Sequence, residues 1–403
     1  MAISLLPLPI PPSADAAELA NFGREVVGLD PGNLTPEQFA DMREALYKYD
    51  ALLFRNASLS PEQQYALTKA FDATSENYGH GNNKTGSTAK SILHPDLKTI
   101  PRVPQVQLIG NGTVYDHEGL AEARLKHPHH KTFHKTVISP EDEFPAPESG
   151  RPGATRFYRW HIDAALYELS PPRVTTLYAL KVPRGPAQVC RYDDGTGDEL
   201  AVPLGTTAFV SGRKMFELLP RELKSVAVRT RVRYAPHPYV WMAPSRSRST
   251  GLGLESEGLE MKLEELPPWE EGKVKVLPML WKVPTTGELS FQVHPSAISE
   301  LLISPLPSSA SREGALYPDG AHLTDLKTVR ELVYSMQRPA IAPHLVYPHD
   351  WNEKDLFLFH NRGVLHTVVG AFRDEEVRAF HQCNLAASDD PEGPSEEDVR
   401  RWA

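Results

Sequence analysis

The chain reads as a mainly β protein with flanking helices, an α+β arrangement around an antiparallel sandwich or barrel. Three observations predict this. From Pro101 to Pro220, short β-rich runs alternate with Gly/Pro/Asp turns such as Asp193-Asp194-Gly195. The 37 prolines and 26 glycines suit many turns and connecting loops better than a helical bundle. Two strong helix starts, at Thr35 and Ser60, precede the β-rich region.

In order along the chain, Thr35-Pro36-Glu37-Gln38 and Ser60-Pro61-Glu62-Gln63 each offer an N-cap hydroxyl, a proline at the first helical position and Gln at the third. After the first, Phe39, Met42 and Leu46 fall on one helical face, and Ala51-Leu52-Leu53-Phe54 reads as a buried strand. Strands are predicted at Val103 to Ile109, Phe157 to Asp163, Val174 to Val182 and Thr206 to Val210, then at Val226 to Tyr234, Gly287 to Val293, Leu356 to Phe359 and Glu376 to Leu385. Leu326, Val329, Val333 and Met336 mark an amphipathic helix, stopped at Arg338-Pro339. Segments 139–155, 244–268 and 305–320 read as loop insertions, because strand-type sequence resumes after each. One decorated domain, 1–403, is therefore expected.

The 43 Lys+Arg and 52 Asp+Glu give a net charge of −9, which argues against capture by nucleic-acid phosphates or anionic membranes. No apolar run reaches the roughly 18 residues of a membrane span. The start MAISLLPLPIPPS has four prolines and no basic residue, so it makes a poor signal peptide. Cys190 and Cys383 are the only cysteines, too few to staple the chain, and a cytoplasmic setting with reduced thiols is expected. The expected partner is a small molecule, with no nucleic acid and no membrane; composition sets no oligomeric state.

In Arg159-Trp160-His161-Ile162-Asp163, a strand period of two puts His161 and Asp163 on one face. His-x-Asp alone is common by chance and needs a third ligand. Far downstream, residues 351–366 run from Trp351 through Asp355-Leu356-Phe357-Leu358-Phe359 to His360-Asn361-Arg362-Gly363-Val364-Leu365-His366. The histidines His127, His129, His130 and His134 lack the ligand-pair spacing of a structural zinc site, and Pro128 interrupts any helix that would align them.

Taken together, these motifs resemble the TauD/TfdA-type Fe(II)- and 2-oxoglutarate-dependent dioxygenases. The resemblance begins at Phe22-Gly23-Arg24-Glu25-Val26 and spans most of the chain. It implies a double-stranded β-helix (jelly-roll) core, His161, Asp163 and His366 as the iron ligands, and 2-oxoglutarate and O2 as co-substrates. Two His and one carboxylate leave open positions on an octahedral iron. The arginine that pairs with the far carboxylate of 2-oxoglutarate falls on Arg378, whose planar fork suits a carboxylate. The family's hydroxyl partner for that carboxylate is expected near Gln188-Val189, where none stands. Where family members usually have Asp before Asn-Arg, this chain has His360.

Sulfonate- and aryloxyacid-oxidising members carry a second arginine four residues on. Here Gln382 stands in its place, with Asn384 on the same strand face, and two amides suit a heterocyclic amide edge better than an anion. Tyr78-Gly79-His80-Gly81, Ser91 to Asp96, Arg156 to Leu166 and Tyr192 to Gly197 further resemble the xanthine-oxidising subgroup. That resemblance implies hydroxylation of xanthine at C8 to urate, with succinate and CO2 as co-products. It also implies a substrate-binding Gln, Lys and acidic pair, here matched to Gln107, Lys131 and Glu141-Asp142. The competing readings are the same oxygenase chemistry on a sulfonate or aryloxyacid, and a non-enzymatic jelly-roll binding protein.

Overall fold

The computed structural model describes residues 3–12, 14–79, 98–127, 130–373 and 375–403. The stretches at 80–81 and 91–96, and His129, lie outside the described residues. Both early helices form where their caps predict, Pro36–Tyr49 and Pro61–Lys69. Each is closed by a reciprocal capping box, Thr35 with Gln38 and Ser60 with Gln63.

These helices cover one face of a nine-stranded sheet. Its path runs Ser4–Pro7, Arg24–Val27, Ala51–Phe54, Leu356–His360, Val174–Lys181, Arg378–Asn384, Val103–His117 and Lys98–Ile100, with Leu120–Leu125 paired to Val103–His117. A second layer holds Tyr347–His349, Thr207–Ser211 and Val364–Val368. Phe209 of this layer stacks on Phe357 of the large sheet at 4.9 Å between ring centres. Leu53, Leu177, Phe359, Val364 and Phe380 close the same interior. On the outer face Leu52, Phe54, Leu356 and Leu358 pack on Met42, Leu46 and Leu67 of the helices. The central strands therefore bury both faces, which is why Leu356-Phe357-Leu358-Phe359 shows no polar alternation. Each such side chain contributes about 1.5–3 kcal/mol by leaving water. Two facing antiparallel layers with helices on the outside make the jelly-roll that the sequence predicts.

Two predicted strands come out differently. The run from Val226 is helical to Arg229, within Arg221–Arg229, and only Thr230–Tyr234 is extended. Leu223, Val226 and Ala227 fall at helical spacing after Pro220, and their burial outweighs the β preference of the two valines. The segment 157–163 makes isolated pairings instead of a regular strand. Phe157 pairs with Val369 and His161 with His366, so four steps of one chain face three of the other. That one-residue bulge bends the chain just before the His-x-Asp pair.

The 244–268 insertion braces this bend. The Trp160 N–H donates to the Gly251 carbonyl at 2.9 Å. Gly251 has φ +71°, and an added Cβ would lie 2.7 Å from the Phe157 carbonyl oxygen, so only glycine fits there. The predicted helix appears as Leu326–Gln337, capped by Asp325 and followed by a 3-10 turn at Arg338–Ile341. Both cysteines are free and buried. Among the described residues no helix is long and apolar enough to cross a membrane.

Candidate metal centre

Two segments bring His161, Asp163 and His366 together: 157–163 carries the first two, and the strand Val364–Val368 carries the third. Their ligand atoms all lie within 4.8 Å of one another, the only such group of three or more His, Cys, Asp or Glu among the described residues. The two histidines exchange both backbone hydrogen bonds, at 3.0 and 3.1 Å, which sets their rings 4.2 Å apart between centres. Nε2 of each lies 3.7 Å from Asp163 Oδ1. His161 Nδ1 lies 2.8 Å from the Arg159 carbonyl, so it carries the proton and leaves the Nε2 lone pair facing inward. Two imidazole nitrogens and one carboxylate oxygen, converging from one side, fit Fe(II) and leave its other positions open.

Asp163 is only 3% exposed, and its backbone is clamped from strand-end residue Asn361. The Asp163 N–H donates to Asn361 Oδ1 at 3.0 Å, while Asn361 Nδ2 donates to the Asp163 and Pro172 carbonyls at 2.8 and 3.0 Å. Arg362 donates to the Pro171 carbonyl and pairs with Asp389. The Asn-Arg turn is thus the brace that ties the Asp163 segment to the strand pair carrying His366.

Arg378 opens the strand Arg378–Asn384 and is 2% exposed. Its guanidinium donates to the Gly205 carbonyl at 2.9 Å and to Thr207 Oγ1 at 3.2 Å, and lies over the Phe380 ring. No carboxylate of the described residues pairs with it, and burial pushes it down to about 9, so it stays charged at neutral pH. A buried cation with only neutral partners favours an entering anion strongly. The expected hydroxyl is absent at Gln188, which is engaged with the Ala371 backbone; the hydroxyl that stands beside Arg378 is that of Thr207.

Phe380 points between the layers, so strand alternation puts Arg378, Gln382 and Asn384 on that interior face. Gln382 Nε2 donates to Asp163 Oδ2 at 3.2 Å. Gln107 stands opposite Gln382 in register and so shares its face. Its Nε2 donates to the Pro104 carbonyl, and its Oε1 is buried with no partner among the described residues. Asn384 is fully buried, and neither of its side-chain amide atoms bonds another described residue. Lys131 is 41% exposed and forms an ion pair with the buried Glu143. Glu141 and Asp142 occupy the first turn of the short helix Pro140–Glu143, where Asp142 faces Arg151 and Arg191. The structure thus gathers the amides and Arg378 on one strand face, and pairs Lys131 with Glu143.

Sequence reasoning missed Thr175, whose hydroxyl donates to Asp163 Oδ2 at 2.8 Å. A threonine in a strand carries no distinguishing signal. It also missed Thr207, a strand threonine whose partner Arg378 is 171 positions away, and Glu143, whose pairing with Lys131 no helical or strand period sets. His360 faces away from the centre, edge-on to Tyr47 at 4.8 Å, and its backbone N–H donates to the Asp50 carbonyl.

Burial pushes His360 and His381 down to about 3, so both stay neutral in the folded protein where the unfolded chain takes up a proton below about 6.5. Stability from these groups is therefore full above pH 6.5 and falls as pH drops toward 3, by up to about 1.4 kcal/mol per pH unit for each. Urea midpoints measured between pH 7 and 5, above the range where carboxylates titrate, should decline, and His360→Asn should flatten that decline.

The family model described as taurine catabolism dioxygenase TauD, TfdA family matches residues 12–384. The chain is 56% identical over 384 residues to a protein of Neurospora crassa named alpha-ketoglutarate-dependent xanthine dioxygenase xan-1, covering 94% of this chain and 86% of that one. It is 52% identical over 389 residues to the xanthine dioxygenase xanA of Emericella nidulans, covering 96% and 98%. Among solved structures, a taurine dioxygenase from Burkholderia xenovorans superposes with a TM-score of 0.53 at 16% identity, covering 98% of this chain and 94% of that one. AAD-2, solved with Mn(II) and N-oxalylglycine, gives 0.52 at 17%, covering 97% and 100%. At that identity the structural likeness speaks for the fold.

Proposed function

The chain belongs to the TauD/TfdA family of dioxygenases, and from that premise we propose that it oxidises xanthine at C8 to urate, consuming 2-oxoglutarate and O2 and releasing succinate and CO2. Atoms balance: one oxygen enters the purine and the other enters succinate. In this reading residues 1–403 form one catalytic domain. The observation that carries the substrate assignment is the face of the strand Arg378–Asn384. Four residues beyond the buried Arg378 the chain places the neutral Gln382, within 3.2 Å of Asp163, and then Asn384 with an unengaged amide. A sulfonate or carboxylate there would lose its hydration to amides that cannot neutralise it. A purine dione offers N–H donors and carbonyl acceptors that amides match one for one. The relatives named xanthine dioxygenases at 52–56% identity support the same reading.

His161, Asp163 and His366 would hold Fe(II), which when bound supplies O2 activation coupled to 2-oxoglutarate decarboxylation. Arg378, steadied by Thr207, would pair with the far carboxylate of 2-oxoglutarate and so orient it. Gln107, Gln382 and Asn384 would bind the purine edges and fix which carbon faces the metal. Lys131, held by Glu143, would stabilise negative charge on the purine from the rim, while Glu141 and Asp142 stay with the solvent-exposed turn.

The test is incubation of the full chain with Fe(II), ascorbate and 2-oxoglutarate across xanthine, sulfonates and aryloxyacids, following urate absorbance and succinate. Xanthine-dependent production of both is expected. Succinate formation driven by a sulfonate or aryloxyacid and not by xanthine would overturn the assignment. Asn384→Ala should lower kcat/KM for xanthine by about 10-fold or more, the 1–3 kcal/mol of a lost hydrogen-bonding partner, with metal affinity unchanged.

A further inference from the structure

The two oxygens of Asp163 are treated differently. Oδ1 faces Nε2 of both histidines at 3.7 Å. Among the described residues, Oδ2 accepts hydrogen bonds from Thr175 Oγ1 at 2.8 Å and from Gln382 Nε2 at 3.2 Å. We propose that Thr175 and Gln382 form a two-donor clamp that presents Asp163 to the metal through Oδ1, and that Gln382 transmits purine occupancy to the metal centre through its bond to Oδ2. The proposal rests on the metal-centre reading above and adds positioning roles to it.

A carboxylate held only by its backbone swings about χ2 and has the option of chelating with both oxygens, which would use a position the co-substrates need. Two donors on Oδ2 fix the plane of the group and reserve that oxygen. Both donors stand on rigid supports. Thr175 is fully buried in the strand Val174–Lys181, opposite Phe359 on one side and Asn384 on the other. Gln382 lies on the adjacent strand, opposite Leu177 and Gln107. Adjacent strands fix a hydroxyl and an amide to within a fraction of an ångström, which loops would not.

Gln382 differs from Thr175 in having more to offer. Its amide has a second N–H and a carbonyl oxygen besides the bond to Asp163, and the side chain is half-buried where the Thr175 hydroxyl is enclosed. A purine that engages the rest of this amide pulls on or shortens the bond to Oδ2. Substrate binding and metal binding are then linked, and linkage is reciprocal: if the metal changes affinity for the purine, the purine changes affinity for the metal by the same factor.

The experiment titrates the metal-free full chain with Mn(II), without 2-oxoglutarate, with and without xanthine, by calorimetry. Thr175→Val should weaken Mn(II) binding by about 10–100-fold, the usual effect of losing a group that orients a ligand, and Thr175→Ser should restore it. Gln382→Met, similar in size and without a donor, should weaken it as well. Xanthine should shift the Mn(II) affinity of the parent chain and leave that of Gln382→Met unmoved. Should Thr175→Val fail to fold, the less buried Gln382→Met carries the test. Mn(II) affinities within twofold of the parent for both variants would overturn the clamp, and an equal xanthine shift in parent and Gln382→Met would overturn the coupling. His161→Ala separates the two levels: if it binds Mn(II) as tightly as the parent, the metal-centre reading itself fails, whatever the clamp variants do.

Discussion

Asp163→Ala is expected to abolish turnover and metal binding while leaving a folded protein. The residue supplies the only negative charge in the donor set, and two neutral imidazoles on Nε2 hold a ferrous ion far less tightly. His161→Ala and His366→Ala should behave alike, because three ligands on one face act as a unit and the loss of one is close to the loss of all. The fold should persist because the side-chain donors to Asp163 among the described residues, the Thr175 hydroxyl and the Gln382 amide, are neutral. Their loss of an acceptor costs about 1–3 kcal/mol each at most. Near-ultraviolet circular dichroism close to that of the parent, with no metal bound in calorimetry and no succinate formed, is the expected combination. Turnover within tenfold of the parent would remove Asp163 from the centre.

Arg378→Met should separate function from stability in the opposite directions. The guanidinium is 2% exposed, has no carboxylate partner among the described residues and is pushed down to about 9 by burial. Holding an uncompensated charge there costs stability, so an apolar chain of similar length should leave the thermal midpoint unchanged or raise it. The same change removes the charge that would pair with 2-oxoglutarate. Loss of one partner of a buried, hydrogen-bonded charge pair costs about 2–5 kcal/mol. The KM for 2-oxoglutarate should therefore rise by about 30-fold or more, while Mn(II) affinity measured without co-substrate stays within a few-fold. A large drop in thermal midpoint with an unchanged KM would mark Arg378 as structural.

How much of this was legible beforehand differs by the range of the interaction. Thr35 and Ser60 announce their helices because a cap and its partner lie three residues apart. His161 and Asp163 were readable as a pair for the same reason. His366 was reached through a motif, the Asn361-Arg362 turn, whose reason appears only when Asn361 is seen gripping the Asp163 backbone 198 positions away. The first part of the strand expected at Val226 to Tyr234 is instead the end of the helix Arg221–Arg229: its valines favour extended chain locally, and only packing on the core overrode them. The bulge before His161 had no local signature, since it exists only as a mismatch with the partner strand.

The sequence by itself determined the mainly β architecture, the helix caps, the His-x-Asp pair, and an arginine followed four residues on by an amide. These are properties of residue type and short spacing. Tertiary structure alone decided that Thr207 stands beside Arg378, that Thr175 and Gln382 share one oxygen of Asp163, and that Glu143 is the carboxylate that meets Lys131. Those choices depend on strand register and on which segment packs against which. Register is set by the summed burial of both sheet faces over the whole molecule, and no short stretch of residues carries that sum.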